Sequence, residues 1–235
     1  MVHFSDGRGD FDFWINSAEC GSWYEPKAWL NKPEYHELSR LIKPGDRVLE
    51  VGCNIGFTTM LLSRLVGESG FVLGLDIVPE NVILAQATVF LNRASNVRLL
   101  CMGVGEAQGE IGFSNQLNGQ VDSASTSRAP LTSCDDLDRQ FGPFNVLKID
   151  VEGYEGFVLK GAQGLLSRFP KLAIEIHGQR IAHYGTTVGE LLHLFHAERY
   201  EGATFSQPEY RVEDFRPERL RSDRIRNLFL SPKPA

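Results

Sequence analysis

The 235-residue sequence predicts an α/β fold, a mostly parallel sheet with helices on both faces. Three features carry that expectation. Short apolar runs rich in Val, Leu and Ile recur from Arg47 onward; each ends at a turn bearing Gly or Asp; and between them lie longer segments whose apolar residues stand three and four apart. Such alternation is what crossover connections between parallel strands require.

The runs 47–51, 71–76, 97–102, 146–150 and 172–177 read as buried strands. Phe57, Leu61 and Leu65 with Leu62 and Val66 form one helical stripe, and Ile83, Ala87, Phe90 and Leu91 a second behind Pro79, a residue suited to a helix start. Phe157, Gly161 and Leu165 with Val158, Ala162 and Phe169 make a third, and Val188, Leu191, Leu192 and Phe195 a fourth. A further helix is expected over 32–42, with Pro33 in its first turn. The segment 103–130 has no sustained period and is rich in Gly, Ser and Asn, so it reads as loops and short strands, with 110–114 and 131–134 as edge pieces. The run 226–230 reads as a last strand joining the sheet edge antiparallel, with 202–205 as its partner.

Length fits one substantial domain, and 42% apolar with 23% charged residues excludes a disordered or fibrous chain. Thirty acidic against 24 basic residues give a net charge of −6, which disfavours nucleic acid as a partner; the one Arg-dense stretch is 216–226. No run approaches the ~18 apolar residues of a membrane span, and no apolar leader opens the chain, so a cytoplasmic location is expected. Cys20, Cys53, Cys101 and Cys134 are widely spaced, which fits reduced thiols and offers no zinc spacing. Nothing in the sequence specifies an oligomeric state.

The sharpest chemical signal is Glu50-Val51-Gly52-Cys53-Asn54-Ile55-Gly56, where the first core strand gives way to a helix. Glycines allow a tight turn and close backbone approach to a ligand, and a helix N-terminus presents free N–H groups. The order is G-x-x-x-G with an acid two residues before the first Gly, unlike the G-x-G-x-x-G that cradles a pyrophosphate. An acid here repels pyrophosphate and welcomes an ammonium, so the turn suits S-adenosylmethionine better than NAD.

Asp76 closes the next strand, 26 positions after Glu50, where a carboxylate can accept both hydroxyls of a ribose; the structural alternative is a turn or cap before Pro79. Lys148, Asp150 and Glu152 alternate at the end of the fourth strand and share one face if the strand persists. Buried charges need partners or a use, so the choice lies between a structural ion pair with helix capping and a site. Glu175-Ile176-His177 ends the fifth strand, and because ligands bind beyond the carboxyl ends of such sheets, His177 is expected near Asp150. Histidine takes up protons near neutral pH, which makes His177 either a proton acceptor or ligand or a structural hydrogen-bonder.

Taken in order, the turn 50–56, the segments 132–137 (TSCDDL), 148–155 (KIDVEGYE) and 158–162 (VLKGA), and the Glu175–His177 run resemble an FkbM-type S-adenosylmethionine-dependent methyltransferase over about 150 residues. The resemblance implies a class I, Rossmann-like sheet of about seven strands with an antiparallel last strand. It implies cofactor contacts at Glu50, Gly52, Asn54 and Asp76, with Gly56 and Ile77 in the same set, and methyl transfer to a hydroxyl at a site bordered by Asp150, Glu152 and His177. Residues 46–235 would then form the methyltransferase domain and 1–45 an aromatic-rich extension. Trp14, Trp23 or Tyr24 of that extension could stack on an acceptor as a lid, or its aromatics could plug the sheet edge.

Transfer from a sulfonium to an alcohol calls for in-line alignment and a group to take the proton. The leading expectation makes His177, oriented by a carboxylate, the base, with Asp150 positioning a small-molecule hydroxyl. A variant places Mg²⁺ or Mn²⁺ between Asp150, Glu152 and His177. The competing classes are an NAD(P) oxidoreductase, an RNA methyltransferase using Arg216, Arg219, Arg221, Arg224 and Arg226, and a non-catalytic cofactor-binding protein.

Overall fold

The structure, a computed structural model, describes residues 1–5, 10–13, 25–220 and 224–234. The chain opens with an antiparallel pair, β1 (Val2–Ser5) and β2 (Asp10–Phe13), then α1 (Pro26–Leu30) and α2 (Pro33–Leu41). Strand and helix alternate through β3 (Arg47–Val51), α3 (Phe57–Val66), β4 (Phe71–Asp76), α4 (Pro79–Leu91) and β5 (Val97–Cys101). An insert of β6 (Gly103–Val104), β7 (Gly109–Gly112) and β8 (Arg128–Thr132) follows, then α5 (Cys134–Phe141), β9 (Val146–Ile149), α6 (Glu155–Lys160), α7 (Gln163–Leu166) and β10 (Lys171–His177). The last elements are α8 (Val188–Leu194), β11 (Tyr200–Ser206), β12 (Glu213–Asp214) and β13 (Ile225–Pro232).

The central sheet runs β12-β11-β13-β10-β9-β3-β4-β5. Strands β10, β9, β3, β4 and β5 pair in parallel, while β13 is antiparallel to both its neighbours. The last strand is therefore antiparallel and pairs with β11 as expected, but it lies inside the sheet between β10 and β11 rather than at its edge. Two ladders stabilise it there, and Leu228 and Leu230 are fully buried. Among the described residues no helix is long and apolar enough to cross a membrane.

Alternation along the strands sorts side chains into two cores. Leu49, Val51, Leu73, Leu147, Ile149 and Ile174 face a core shared with α6, α7 and α8. Val48, Val72, Val146 and Ala173 face the other, shared with α2, α3 and the N-terminal hairpin. On this second face, toward the carboxyl ends of the strands, the apolar series gives way to Glu50, Lys148, Glu175 and Asn227. Glu50 registers against Lys148, and Glu175 against Asn227.

The N-terminal aromatics close this second core around Phe57, whose ring lies 4.7 Å from Trp29, 4.9 Å from Phe13 and 5.3 Å from Phe4. Phe4, Phe11 and Phe13 thus pack over α3 on the sheet's face. Trp14, Trp23 and Tyr24, named above as lid candidates, lie outside the described residues.

Several local expectations change. The stripe Ile83, Phe90 and Leu91 of α4 faces solvent, and the helix buries Asn81, Val82, Ala85 and Thr88 instead. Apolar residues stand on both sides of this helix, so periodicity alone chose the wrong one. The stretch 157–169 does not form one helix but breaks into α6 and α7 around Gly161, where a Cβ would come within 1.9 Å of the Gly105 carbonyl. The pieces 110–114 and 131–134 do not edge the main sheet; strands there build a separate sheet of order β6-β8-β7. Helix α5 was not anticipated, although Ser133 caps it by accepting from the Asp136 N–H at 3.1 Å.

Because Phe57 holds the hairpin, α1 and α3 together, Phe57→Ala is expected to cost about 3–5 kcal/mol. Urea unfolding followed by tryptophan fluorescence and circular dichroism checks it; a loss under about 1 kcal/mol would show that the aromatic cluster is not a structural hub.

Candidate active site

The turn after β3 is positioned by backbone hydrogen bonds: the Gly52 and Cys53 N–H groups both donate to the Leu75 carbonyl, at 2.8 and 2.9 Å. Gly52 has φ +87°, and a Cβ there would lie 1.8 Å from the Asp150 carbonyl oxygen. Only glycine lets the turn rest on the end of β9. Gly56, at φ +85°, meets Ala85 of α4, where a Cβ would approach within 2.8 Å, so it permits helix packing and does not line the cavity.

Glu50 lies beneath the turn, fully buried. The hydroxyls of Thr58 and Thr59 each donate to it at 2.6 Å, and the Lys148 ammonium stands 3.6 Å away. Asp76 accepts from the backbone N–H of Asn54 at 2.8 Å, from that of Val78 at 2.9 Å and from the Asn81 amide at 3.1 Å. It therefore makes the turn bond expected of the structural alternative while also lining the cavity. Burial pushes its carboxyl up to about 6 against the lowering effect of those donors.

A cavity of about 370 Å³ runs from Gly52, Asn54, Asp76 and Ile77 to Asp150, Glu152, Glu175 and His177. That size suits a drug-sized ligand. The loop around Leu117 roofs the first end, because Asn54 and Asn81 both donate to the Leu117 carbonyl, at 3.0 and 2.8 Å. Trp29, Phe205 and Tyr210 wall the second end.

At that end, ligand atoms of Asp150, Glu175 and His177 lie within 4.8 Å of one another, so His177 is near Asp150 as expected. His177 Nδ1 is 2.7 Å from Glu155 Oε1 on a fully buried side chain. Burial pulls the imidazole down, but the Glu155 hydrogen bond and the charges of Asp150, Glu155 and Glu175 outweigh it and raise it to about 9. Burial raises Glu175 above the usual carboxylate range, and Asp150 and Glu34 add to this. Burial likewise raises Glu34, against the pull of Lys148. Lys148 is pulled down by burial and held above its ordinary value by Glu50, Asp150, Glu34 and Glu175.

Lys148 and Asp150 stay together at 3.9 Å, but β9 stops at Ile149, and Glu152 turns away at φ +56°. The shared face of Lys148, Asp150 and Glu152 is therefore broken, and Glu152 ion-pairs with Arg180 while its Oε2 stays 3.3 Å from His177 Nε2. Glu34, Trp29, Leu117, Glu155, Gln207 and Tyr210 join the site without having been singled out. Among these, only Glu155 carried a local signal, as an acid opening a helix within the 148–155 segment.

The strand order and a cavity beyond the strands' carboxyl ends define a class I S-adenosylmethionine-dependent methyltransferase fold. A structure of such an enzyme from Aquifex aeolicus superposes with TM-score 0.53 at 15% identity, covering 93% of this chain and 98% of that one. A putative rRNA methylase from Clostridium thermocellum gives 0.50 at 16% identity, covering 84% and 92%. The model of the methyltransferase FkbM domain matches residues 50–201, and the chain belongs to that family. That family is one of methyltransferase domains, which weighs against the NAD(P) oxidoreductase reading.

Curated relatives include a protein-L-isoaspartate O-methyltransferase from Fervidobacterium nodosum, 40% identical over 67 residues, 28% of this chain and 32% of the relative. A ribosomal RNA large subunit methyltransferase E from Alkalilimnicola ehrlichii is 35% identical over 72 residues, 31% and 34% of the two chains. These matches span about a third of each relative's length.

Two outcomes follow from the turn. Gly52→Ala drives a Cβ into the Asp150 carbonyl, so it should abolish S-adenosylmethionine binding in calorimetry and lower the melting temperature; unchanged affinity would show that the turn is not the grip. An ionised Asp76 is the better acceptor for ribose hydroxyls, and its raised pKa of about 6 puts the loss within reach. The dissociation constant for S-adenosylmethionine should be flat above about pH 7 and weaken toward about tenfold per unit below pH 6. Asp76→Asn should bind weakly with no such slope.

Proposed function

We propose that the protein transfers a methyl group to a hydroxyl of a small molecule, such as a sugar or a secondary metabolite. The observation that carries this reading is the continuity of the cavity, with the Gly52 turn and Asp76 at one end and Asp150, Glu175 and His177 at the other. S-adenosylmethionine supplies an electrophilic methyl on a sulfonium.

Asp76 would accept the ribose hydroxyls, Gly52, Asn54 and Ile77 shape the wall beside it, and Glu50 holds the turn from beneath. The acceptor oxygen lies against Asp150. With S-adenosylmethionine bound, a hydroxyl held there would take the methyl group from the sulfonium, leaving the thioether, and would give its proton to the Asp150 carboxylate. This reading gives the base role to Asp150 in place of His177. Asp150 is the more open group, its side chain 35% exposed, whereas His177 Nε2 is hemmed between Glu152 at 3.3 Å and Glu175 at 3.8 Å. His177, oriented by Glu155, and Glu152, tethered by Arg180, position the acceptor.

A small acceptor is favoured over RNA by charge and shape. The acceptor end is lined by the acids Glu34, Asp150, Glu152 and Glu175, an unfavourable surface for a polyphosphate. In the Arg-rich tail Arg216 and Arg219 are exposed, Arg224 is ion-paired with Glu209, Arg226 is half-buried, and Arg221 lies outside the described residues. A cavity walled by Trp29 and Tyr210 and edged by carboxylates and the Gln207 amide matches a polyol, whose C–H face stacks on rings while its hydroxyls donate to acids.

Tritiated S-adenosylmethionine with a panel of hydroxylated small molecules and structured RNA tests the assignment. Transfer to a hydroxylated small molecule is expected, with Asp150→Asn lowering kcat about 10²–10⁴-fold while the dissociation constant for S-adenosylmethionine holds within about threefold. Transfer to RNA alone, steeply salt-dependent, would overturn it.

A further inference from the structure

Five carboxyl groups crowd the acceptor end, and burial raises two of them, Glu34 and Glu175, above the usual carboxylate range. Glu34, Asp150, Glu152, Glu155 and Glu175 converge there, against Lys148, His177 and the rim residue Arg180. Lys148 is the buried ammonium of the group, yet it stands 3.6 Å from Glu50 and 3.9 Å from Asp150, too far for a direct hydrogen bond to either.

The outward sides of the cluster are already fixed. Glu155, fully buried, takes His177 Nδ1 at 2.7 Å and also accepts from the Gly153 N–H at 3.0 Å. The Asn227 and Gln207 amides hold Glu175 at 2.9 and 3.0 Å. A histidine whose Nδ1–H is given to a carboxylate presents Nε2 forward, the arrangement that metal-binding histidines adopt once a cation displaces the Nε2 proton. Here Nε2, on a side chain 3% exposed, makes no hydrogen bond among the described residues and faces only carboxylate oxygens. Bonds of ~2.0–2.6 Å to one ion place its ligand atoms roughly 3–5 Å apart, and the ligand atoms of Asp150, Glu175 and His177 all fall within 4.8 Å of one another.

We propose that Asp150, Glu175 and His177 bind one hard divalent cation, Mg²⁺ or Mn²⁺, which takes two adjacent oxygens of the acceptor. This rests on the acceptor site proposed above and narrows its substrate class to vicinal diols and similar chelating pairs. Glu175 replaces Glu152 in the ligand set expected from sequence, because Glu152 is committed to Arg180 at the rim. Three protein ligands leave about three positions of an octahedral ion open, enough for two neighbouring acceptor oxygens and a water. One Asp150 oxygen ligates the ion, and the other takes the proton of the bound hydroxyl as the C–O bond forms and the C–S bond breaks.

The test needs neither methyl donor nor acceptor. Chelator-treated, desalted full-length protein is titrated with Mn²⁺ alone, and free Mn²⁺ is followed by electron paramagnetic resonance. One saturable site per chain is expected; Glu175→Gln and His177→Gln should each weaken it at least about tenfold, and Glu152→Gln should leave it within about threefold, with circular dichroism confirming that each variant is folded. No saturable binding by the unmodified protein overturns the proposal whatever the variants do. So does a site lost in Glu152→Gln but kept in Glu175→Gln. Either failure leaves methyl transfer standing, whereas failure of S-adenosylmethionine to bind would strike the earlier reading and leave the Mn²⁺ result intact.

Discussion

The site depends on one close approach, that of the turn at Gly52 to the carbonyl of Asp150. With 1.8 Å available to a Cβ, no side chain fits between them. The turn that follows the first core strand and the residues that follow the fourth are therefore packed backbone to backbone. Strand order makes the approach available, since β3 and β9 are direct neighbours. The absent side chain makes it close, so the cofactor end and the acceptor end become two parts of one cavity.

Behind this contact lies a band of polar residues on an otherwise apolar sheet face. Glu50 and Lys148 are cross-strand partners, and Glu175 and Asn227 repeat the arrangement two strands away. Buried charges are costly unless compensated. Here the two threonines of α3 satisfy Glu50, and the Asn227 and Gln207 amides satisfy Glu175, so the acids keep their places without each consuming a cation. The carboxyl groups are concentrated at the end of the cavity where Asp150, Glu175 and His177 meet.

The N-terminal segment contributes differently from what its aromatic content suggested. Phe4, Phe11 and Phe13 are spent on packing around Phe57, while Trp29 and the Glu34 carboxylate reach the cavity. The loop around Leu117, from a segment with no periodic signal, roofs the cofactor end through two asparagine side chains. Sequence distance hides both contributions, because each is made by residues whose neighbours come from other parts of the chain.

The sequence by itself determined the alternation of strands and helices, the antiparallel sense of β13, the glycine turn and the strand-end positions of Asp76, Asp150 and His177. Those features are local: periodicity, glycine spacing and strand ends are written in consecutive residues. Only the tertiary structure decided which face of α4 is buried, that β13 lies inside the sheet, that Glu50 sits under the turn, and that Glu175 joins Asp150 and His177 while Glu152, still 3.3 Å from His177, is tied to Arg180. The α4 face depends on which side the sheet covers. The other three depend on which strands become neighbours and on a left-handed residue at Glu152, and neither is encoded in a window of a few residues.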